Sequence, residues 1–189
     1  MKTIGVLALQ GSFAEHLAML GRLKGVDPVA VKEPRALEKA DGMILPGGES
    51  TTLGKLLHES GLFEPLRARI SAGMPVWGTC AGLILLAKKI ADDDTVHLGL
   101  MDIVARRNAY GGQLDSFADR AVLEEVSPEP FPLVFIRAPW IEKAGEGVKT
   151  ASGGDGRIIA ARQKNMIVTS FHPELTDDPR FHSYFAGLV

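Results

Sequence analysis

The stretch that most narrows the possible fold is Met74-Pro75-Val76-Trp77-Gly78-Thr79-Cys80-Ala81-Gly82-Leu83-Ile84-Leu85-Leu86-Ala87. One apolar run leads into Gly78, and a second, with helical character, follows Gly82. The pattern predicts a strand, a sharp turn and a helix, with Cys80 at the apex. A turn this tight leaves no room for a Cβ two residues before or after it, which accounts for both glycines. G-x-C-x-G is the thiol counterpart of the G-x-S-x-G nucleophile elbow. Such an elbow lifts its nucleophile to the end of a strand and sets it at a helix N-terminus, where the thiolate is favoured. A lone cysteine is more often an inert core residue, so the rest of the chain must decide.

The surrounding pattern fits a parallel sheet. Residues 3–9 form a β-branched and apolar run, read as a buried strand. Gln10-Gly11 breaks it, and Ser12 with Glu15 three residues on predicts a capping box opening a helix over 13–23. A strand over 28–31, a short helix over 36–40 and a strand over 43–45 follow. This β-α-β-α-β order predicts a single-domain α/β fold across 1–189, with a doubly wound, mostly parallel mixed sheet flanked by helices. Helices are expected over 52–59, capped by Ser50 or Thr51, and over 63–72. Beyond the elbow, strands are expected over 121–126, 133–136, 147–151, 158–163 and 166–171, with turns at 128–132 and 152–156. A terminal helix over 179–188 closes the chain.

Composition excludes several classes. The chain has 189 residues, a formal charge of −2 and no basic stripe, which argues against a nucleic-acid partner. One cysteine permits no internal disulfide and suits a reducing compartment. Neither a signal-peptide pattern nor a run long enough to span a bilayer is visible, so no membrane association is expected and the expected location is cytoplasmic. Three acids at 92–94 stand without further ligands at fixed spacing, so no metal site is expected.

Chemistry-bearing groups sit at three expected strand ends: Gly47-Gly48, Cys80 and His172-Pro173-Glu174. In an open parallel sheet such ends share one crevice. A thiol needs a base, and the base needs a group that holds its tautomer. His172 can serve as base and Glu174 as its orienting acid, with Pro173 fixing the turn. The other histidines, His16, His58, His97 and His182, have no comparable partner at close spacing. Backbone N–H groups of Ala81 and Gly48 are candidates for an oxyanion hole. Together these features point to acyl transfer through a thioester.

Pro46-Gly47-Gly48-Glu49-Ser50, Gly78-Thr79-Cys80-Ala81-Gly82 and His172-Pro173-Glu174 resemble the three signatures of class I (triad) glutamine amidotransferases, whose fold is flavodoxin-like. Residues 5–11, 45–52, 78–87, 107–108, 135–139 and 170–176 resemble one branch, the glutaminase subunit of pyridoxal 5′-phosphate synthase. The resemblance implies that Cys80 attacks L-glutamine, with His172 as base and Glu174 orienting it. It also implies that Gly48, Glu49, Ser50, Arg107, Ile136 and Arg137 contact the substrate. No cofactor is implied; the implied partner is a (β/α)8-barrel synthase subunit that receives ammonia for vitamin B6 biosynthesis. The chain departs from the family pattern at Gly112 and Trp140. Alternatives are a glutaminase for another ammonia-using synthase, a different cysteine hydrolase on this scaffold, and a non-enzymatic subunit that has kept the elbow.

Overall fold

The computed structural model describes residues 1–107 and 116–189. Its first half alternates: β1 (Lys2–Leu7), α1 (Phe13–Leu20), β2 (Val26–Val31), α2 (Pro34–Glu38), β3 (Gly42–Leu45), α3 (Ser50–Glu59), α4 (Phe63–Ser71), β4 (Val76–Thr79) and α5 (Ala81–Leu86). Its second half is strand-rich: β5 (Ala87–Ile90), β6 (Met101–Arg106), β7 (Ser116–Leu123), β8 (Ser127–Ile136), β9 (Trp140–Ala144), β10 (Lys149–Ser152), β11 (Ile158–Gln163) and β12 (Met166–Thr169). A 3-10 turn at Pro173–Leu175 and α6 (Arg180–Leu188) follow.

The main sheet has the order β2-β1-β3-β4-β12-β11-β9-β6-β5, with β10 paired to β11. Strands β2, β1, β3, β4 and β12 are mutually parallel, β11, β9 and β6 pair antiparallel, and β5 is parallel to β6. Parallel strands need crossovers, and the crossover helices cover both faces, so these strands are apolar on both sides. Successive residues accordingly feed opposite cores. Val76, Met43, Leu45 and Val168 pack with α3, α4 and α5 on one face. Trp77, Ile44 and Ile167 pack with Leu20 of α1, Phe181 and Phe185 of α6 and Phe131 of β8 on the other. The fold is the single-domain α/β arrangement expected.

Several local expectations are corrected. Ser12 makes no side-chain cap, and α1 ends at Leu20 rather than at 23; the Ser12 hydroxyl is engaged elsewhere, as shown below. Helix α3 is capped not by Ser50 or Thr51 but by Glu49, whose carboxylate accepts from the Thr51 and Thr52 backbone N–H groups. Residues 128–132 form no turn but lie within β8. Pro128, Pro130 and Pro132 alternate, so their missing N–H groups all fall on one side of the strand, and among the described residues β8 pairs with β7 alone. Strand β9 was not anticipated, and β7 spans Ser116–Leu123 rather than 121–126. The polar loop that contains Asn108, Tyr110, Gly112 and Gln113 lies outside the described residues apart from its ends.

Candidate active site

Sheet register brings the three chemistry-bearing segments to one edge. Leu45 of β3 is level with Gly78 of β4, and Thr169 of β12 is level with Thr79. The next residues along each strand therefore emerge side by side: Pro46-Gly47-Gly48, Cys80 and Ser170-Phe171-His172. The Cys80 N–H, donating to Thr169 O at 2.8 Å, ties the apex to the end of β12.

The elbow has the strained backbone its chemistry needs. Cys80 has φ 48° and ψ −100°, unfavourable for a residue with a Cβ. The turn that imposes this also requires both glycines. A Cβ on Gly78 would lie 2.5 Å from the Gly82 carbonyl, and one on Gly82 would overlap the Leu45 backbone. Cys80 is 7% exposed, so its thiol reaches solvent only through the cleft above it.

His172 and Glu174 meet as expected across the 3-10 turn that Pro173 opens. His172 Nδ1 lies 2.6 Å from Glu174 Oε1. This leaves Nε2 as the nitrogen available to the thiol, and among the described residues it has no full hydrogen bond. Catalytic hydrogen bonds are commonly long until substrate is bound. Burial by itself would lower the His172 pKa; the adjoining Cys80 and the Glu174 carboxylate outweigh it and raise the value to about 10. Burial would raise the Glu174 pKa, but the facing His16, the His172 bond and the Ser12 bond hold it at about 2. The pair thus favours imidazolium beside carboxylate, an arrangement that stabilises a thiolate.

Groups that sequence spacing could not reveal complete this arrangement. Ser12 donates its hydroxyl to Glu174 Oε1 at 2.6 Å, and this is why it does not cap α1. His16 Nε2 stands 3.4 Å from Glu174 Oε2, a partner distant in the chain where close spacing offers none. The contact partners are more than 150 residues apart in the chain, so no local pattern signals them.

The glycine loop abuts the imidazole. A Cβ on Gly47 would overlap His172 Cε1 and come within 3.0 Å of Nδ1. The Gly47 carbonyl accepts from Ser12 N–H at 3.0 Å, which sets the plane of the Gly47–Gly48 peptide. Gln10 Oε1 accepts from Glu49 N–H at 2.9 Å and braces the loop from the segment that follows β1. Gly48 and Ala81, the oxyanion candidates, both line the cleft.

That cleft has a volume of about 470 Å³, within the usual range for small-molecule sites. It brings together Glu49, Ser50, Cys80, Arg107, Ile136, Arg137 and His172, while Glu174 stands buried behind the imidazole. The thiol lies 4.0 Å from the Ile136 carbonyl oxygen. His172 N–H donates to Val134 O at 2.8 Å, tying the β7–β8 hairpin, and with it Ile136 and Arg137, to the triad segment. Arg137 has φ 41°, a second left-handed residue at the rim. The two neighbouring arginines separate cleanly. Arg106 is held by Asp92 and Glu142. Arg107 pairs through Nη1 with Asp93 at 3.1 Å, while its buried Nε and Nη2 have no partner among the described residues. A cation with free N–H groups in a cleft suits a carboxylate ligand. Trp140 opens β9 and packs under the Arg157 guanidinium, 4.2 Å away.

A larger cleft of about 740 Å³ lies between β7–β8, β10–β11 and α6, away from Cys80. Its polar groups satisfy one another: Tyr184 donates to Glu125 at 2.7 Å and accepts from Arg162 at 2.9 Å. Among the described residues no cluster of potential metal ligands occurs, and no helix is long and apolar enough to cross a membrane.

Known proteins resemble the chain in sequence and in fold. The model of the SNO glutamine amidotransferase family matches residues 6–189. The chain is 51% identical to the pyridoxal 5′-phosphate synthase subunit PdxT of Ruminiclostridium cellulolyticum over 100% of both chains. It is 55% identical to that of Herpetosiphon aurantiacus, over 98% of this chain and 100% of the relative. A solved structure described as a glutamine amidotransferase superposes with TM-score 0.91 at 43% identity, covering 98% of this chain and 97% of the other. PurLQS from Thermotoga maritima, at TM-score 0.69 and 16% identity over 100% and 99% of the two chains, shares the fold.

Proposed function

The chain belongs to the SNO glutamine amidotransferase family, and on that footing we propose that its residues 1–189 act as one glutaminase domain, the ammonia-producing subunit of a pyridoxal 5′-phosphate synthase. The observation that carries the reading is the strained Cys80 apex sharing a cleft with an imidazole already braced by a buried carboxylate.

In this mechanism His172 Nε2 holds the proton of the Cys80 thiol, as its raised pKa favours, and Cys80 Sγ attacks the carboxamide carbon of L-glutamine. The C=O π bond opens, and its oxygen takes the negative charge between the N–H groups of Gly48 and Ala81. Each such donor typically contributes ~3 kcal/mol to the transition state. His172 then gives its proton to the amide nitrogen, the C–N bond breaks, and ammonia leaves a γ-glutamyl thioester. Water attacks the thioester carbon and transfers a proton to His172; the thiolate departs, leaving glutamate. Glu174 stays ionised throughout and holds the ring. Arg107 receives the substrate α-carboxylate, and Gly48, Glu49, Ser50, Ile136 and Arg137 enclose the rest. The hydrolysis needs no cofactor.

Free ammonia is protonated in neutral water, and ammonium is no nucleophile. The product is therefore useful only if a synthase takes it directly. The partner in this proposal is a (β/α)8-barrel synthase subunit, with the complex in the cytoplasm. The test is Cys80→Ala, assayed with glutamine and that synthase. Glutamate and pyridoxal phosphate should both fail to appear while the fold persists. Continued glutamate release by this variant would remove the mechanism. A substrate panel that favoured peptides or esters over free glutamine would shift the reading to another cysteine hydrolase.

A further inference from the structure

Behind the triad lies a buried row of side chains that the hydrolysis scheme does not use. His16 of α1 is 0% exposed, as are His182 of α6 and Thr79 of β4. His16 Nδ1 is 3.0 Å from His182 Nε2. His16 Nε2 is 3.2 Å from Thr79 Oγ1 and 3.4 Å from Glu174 Oε2. Glu174 Oε1 already accepts from both Ser12 and His172, whereas Oε2 is buried and has no hydrogen-bond partner among the described residues.

We propose that His16 is a positioning residue for the reaction: its ring, fixed in the Nε2–H form with His182 behind it, holds the free oxygen of Glu174 and so keeps the carboxylate in the plane that steadies His172. The proposal rests on the assignment of Cys80, His172 and Glu174 as the reacting group.

Hydrogen-bond logic selects this form. Two imidazole nitrogens 3.0 Å apart share one proton, so one of them must be bare. If His16 Nε2 were bare, it could accept from the Thr79 hydroxyl but would turn a lone pair on a carboxylate oxygen. With Nε2 protonated, Thr79 and Glu174 both face a donor, and His16 Nδ1 accepts from His182 Nε2–H. The assignment is inferred from the partners.

Packing alone does not explain the residue. His16 does meet Trp77 edge-on, with centroids 5.3 Å apart, and a phenyl ring would fill that place equally well. A phenyl ring, however, would take away the hydrogen-bond partner of His182 Nε2 and of Thr79 Oγ1, and the one nitrogen that faces Glu174 Oε2 at 3.4 Å. The ionisable groups around His16 are Glu15 on its own helix, His172 and Glu174 at the 3-10 turn, and His182 on α6; β4 adds only Thr79 and Trp77. Burial lowers the pKa of His16 despite the opposing Glu174, and lowers that of His182 to about 3. Both shifts favour the neutral rings on which a tautomer lock depends.

The test compares His16→Gln and His16→Leu by glutamate release in the presence of the synthase. The glutamine side chain carries an amide N–H that can reach the same oxygen; the leucine side chain carries none. The expected result is a kcat about tenfold lower in the leucine variant, the scale of one hydrogen bond to a charged group, with KM little changed. The glutamine variant should stay within about threefold of wild type. The acid limb of the leucine variant's pH profile should move to higher pH, because a carboxylate with one donor fewer protonates more readily. Full activity in the leucine variant, or an equal loss in both, would overturn the proposal. If the leucine variant fails to fold, long-range 1H–15N correlation on the wild-type chain decides instead. An Nε2–H signature for His16 near neutral pH supports the proposal; an Nδ1–H signature or an imidazolium overturns it. A wild-type complex without glutaminase activity would refute the assigned function, while the tautomer spectrum would still report on His16.

Discussion

Gly47→Ala isolates the placement of the imidazole from its chemistry. Gly47 is not among the glycines with positive φ, so its backbone accepts alanine. The cost is purely steric. The new methyl would overlap His172 Cε1 and sit 3.0 Å from Nδ1 and 3.3 Å from Nε2, all inside ordinary van der Waals contact. The ring cannot simply retreat, because Nδ1 is bonded to Glu174 at 2.6 Å and the His172 N–H to Val134 O at 2.8 Å. Relief of the overlap requires a movement of roughly 1 Å by the ring or the loop, and a misplacement of that size costs about 100-fold in rate. Overpacking should also lower stability by about 1–3 kcal/mol. The assay is glutamate release with the synthase present, beside a thermal melt to show that the variant is folded at the assay temperature. Activity within about threefold of wild type, a loss far below that of a 1 Å misplacement, would refute the view that the loop sets the imidazole's position.

Other expectations follow from the same geometry. Arg107→Ala should raise KM for glutamine by about tenfold or more if, as proposed, its unpartnered N–H groups receive the substrate carboxylate; Arg106→Ala, with its cation already paired, should leave KM unchanged. Glu49→Ala removes the cap of α3 and should cost about 1 kcal/mol, read as a fall of about 3 °C in Tm. The Glu49 pKa is lowered to about 2 against an ordinary 4.5, mainly by the Thr52 hydroxyl bond, so its contribution is present above pH 4.5 and lost as pH falls towards 2. His172 shows the opposite sign: raised from 6.5 to about 10, its contribution is full below pH 6.5 and lost as pH rises through 10. An NMR titration should therefore find the His172 midpoint well above 6.5, and lower in Cys80→Ala; an identical midpoint in both would show that the thiol does not act on the ring.

Much of the site was legible along the chain because its parts are local. The elbow is written in five consecutive residues, since a turn too tight for a Cβ leaves its glycines at fixed offsets from Cys80. His172 and Glu174 are two apart, so one proline-led turn joins them. The strand expectations failed where no side-chain period marks them. The prolines of β8 read as a turn because a free strand edge is a tertiary fact. The threonine-rich start of α3 offered two good caps, yet Glu49 reached the N–H groups first.

The alternating α/β plan, the apex cysteine and the histidine–acid pair could all be read along the chain, because each depends on backbone sterics and short spacing. Which distant groups serve them was settled by how the layers pack. Parallel register put three strand ends on one rim, and packing of α1 and α6 against the same sheet face brought Ser12, His16 and His182 behind Glu174. Contacts of that kind join residues that sit far apart in order and close together in space, so they leave no mark in the succession of residues.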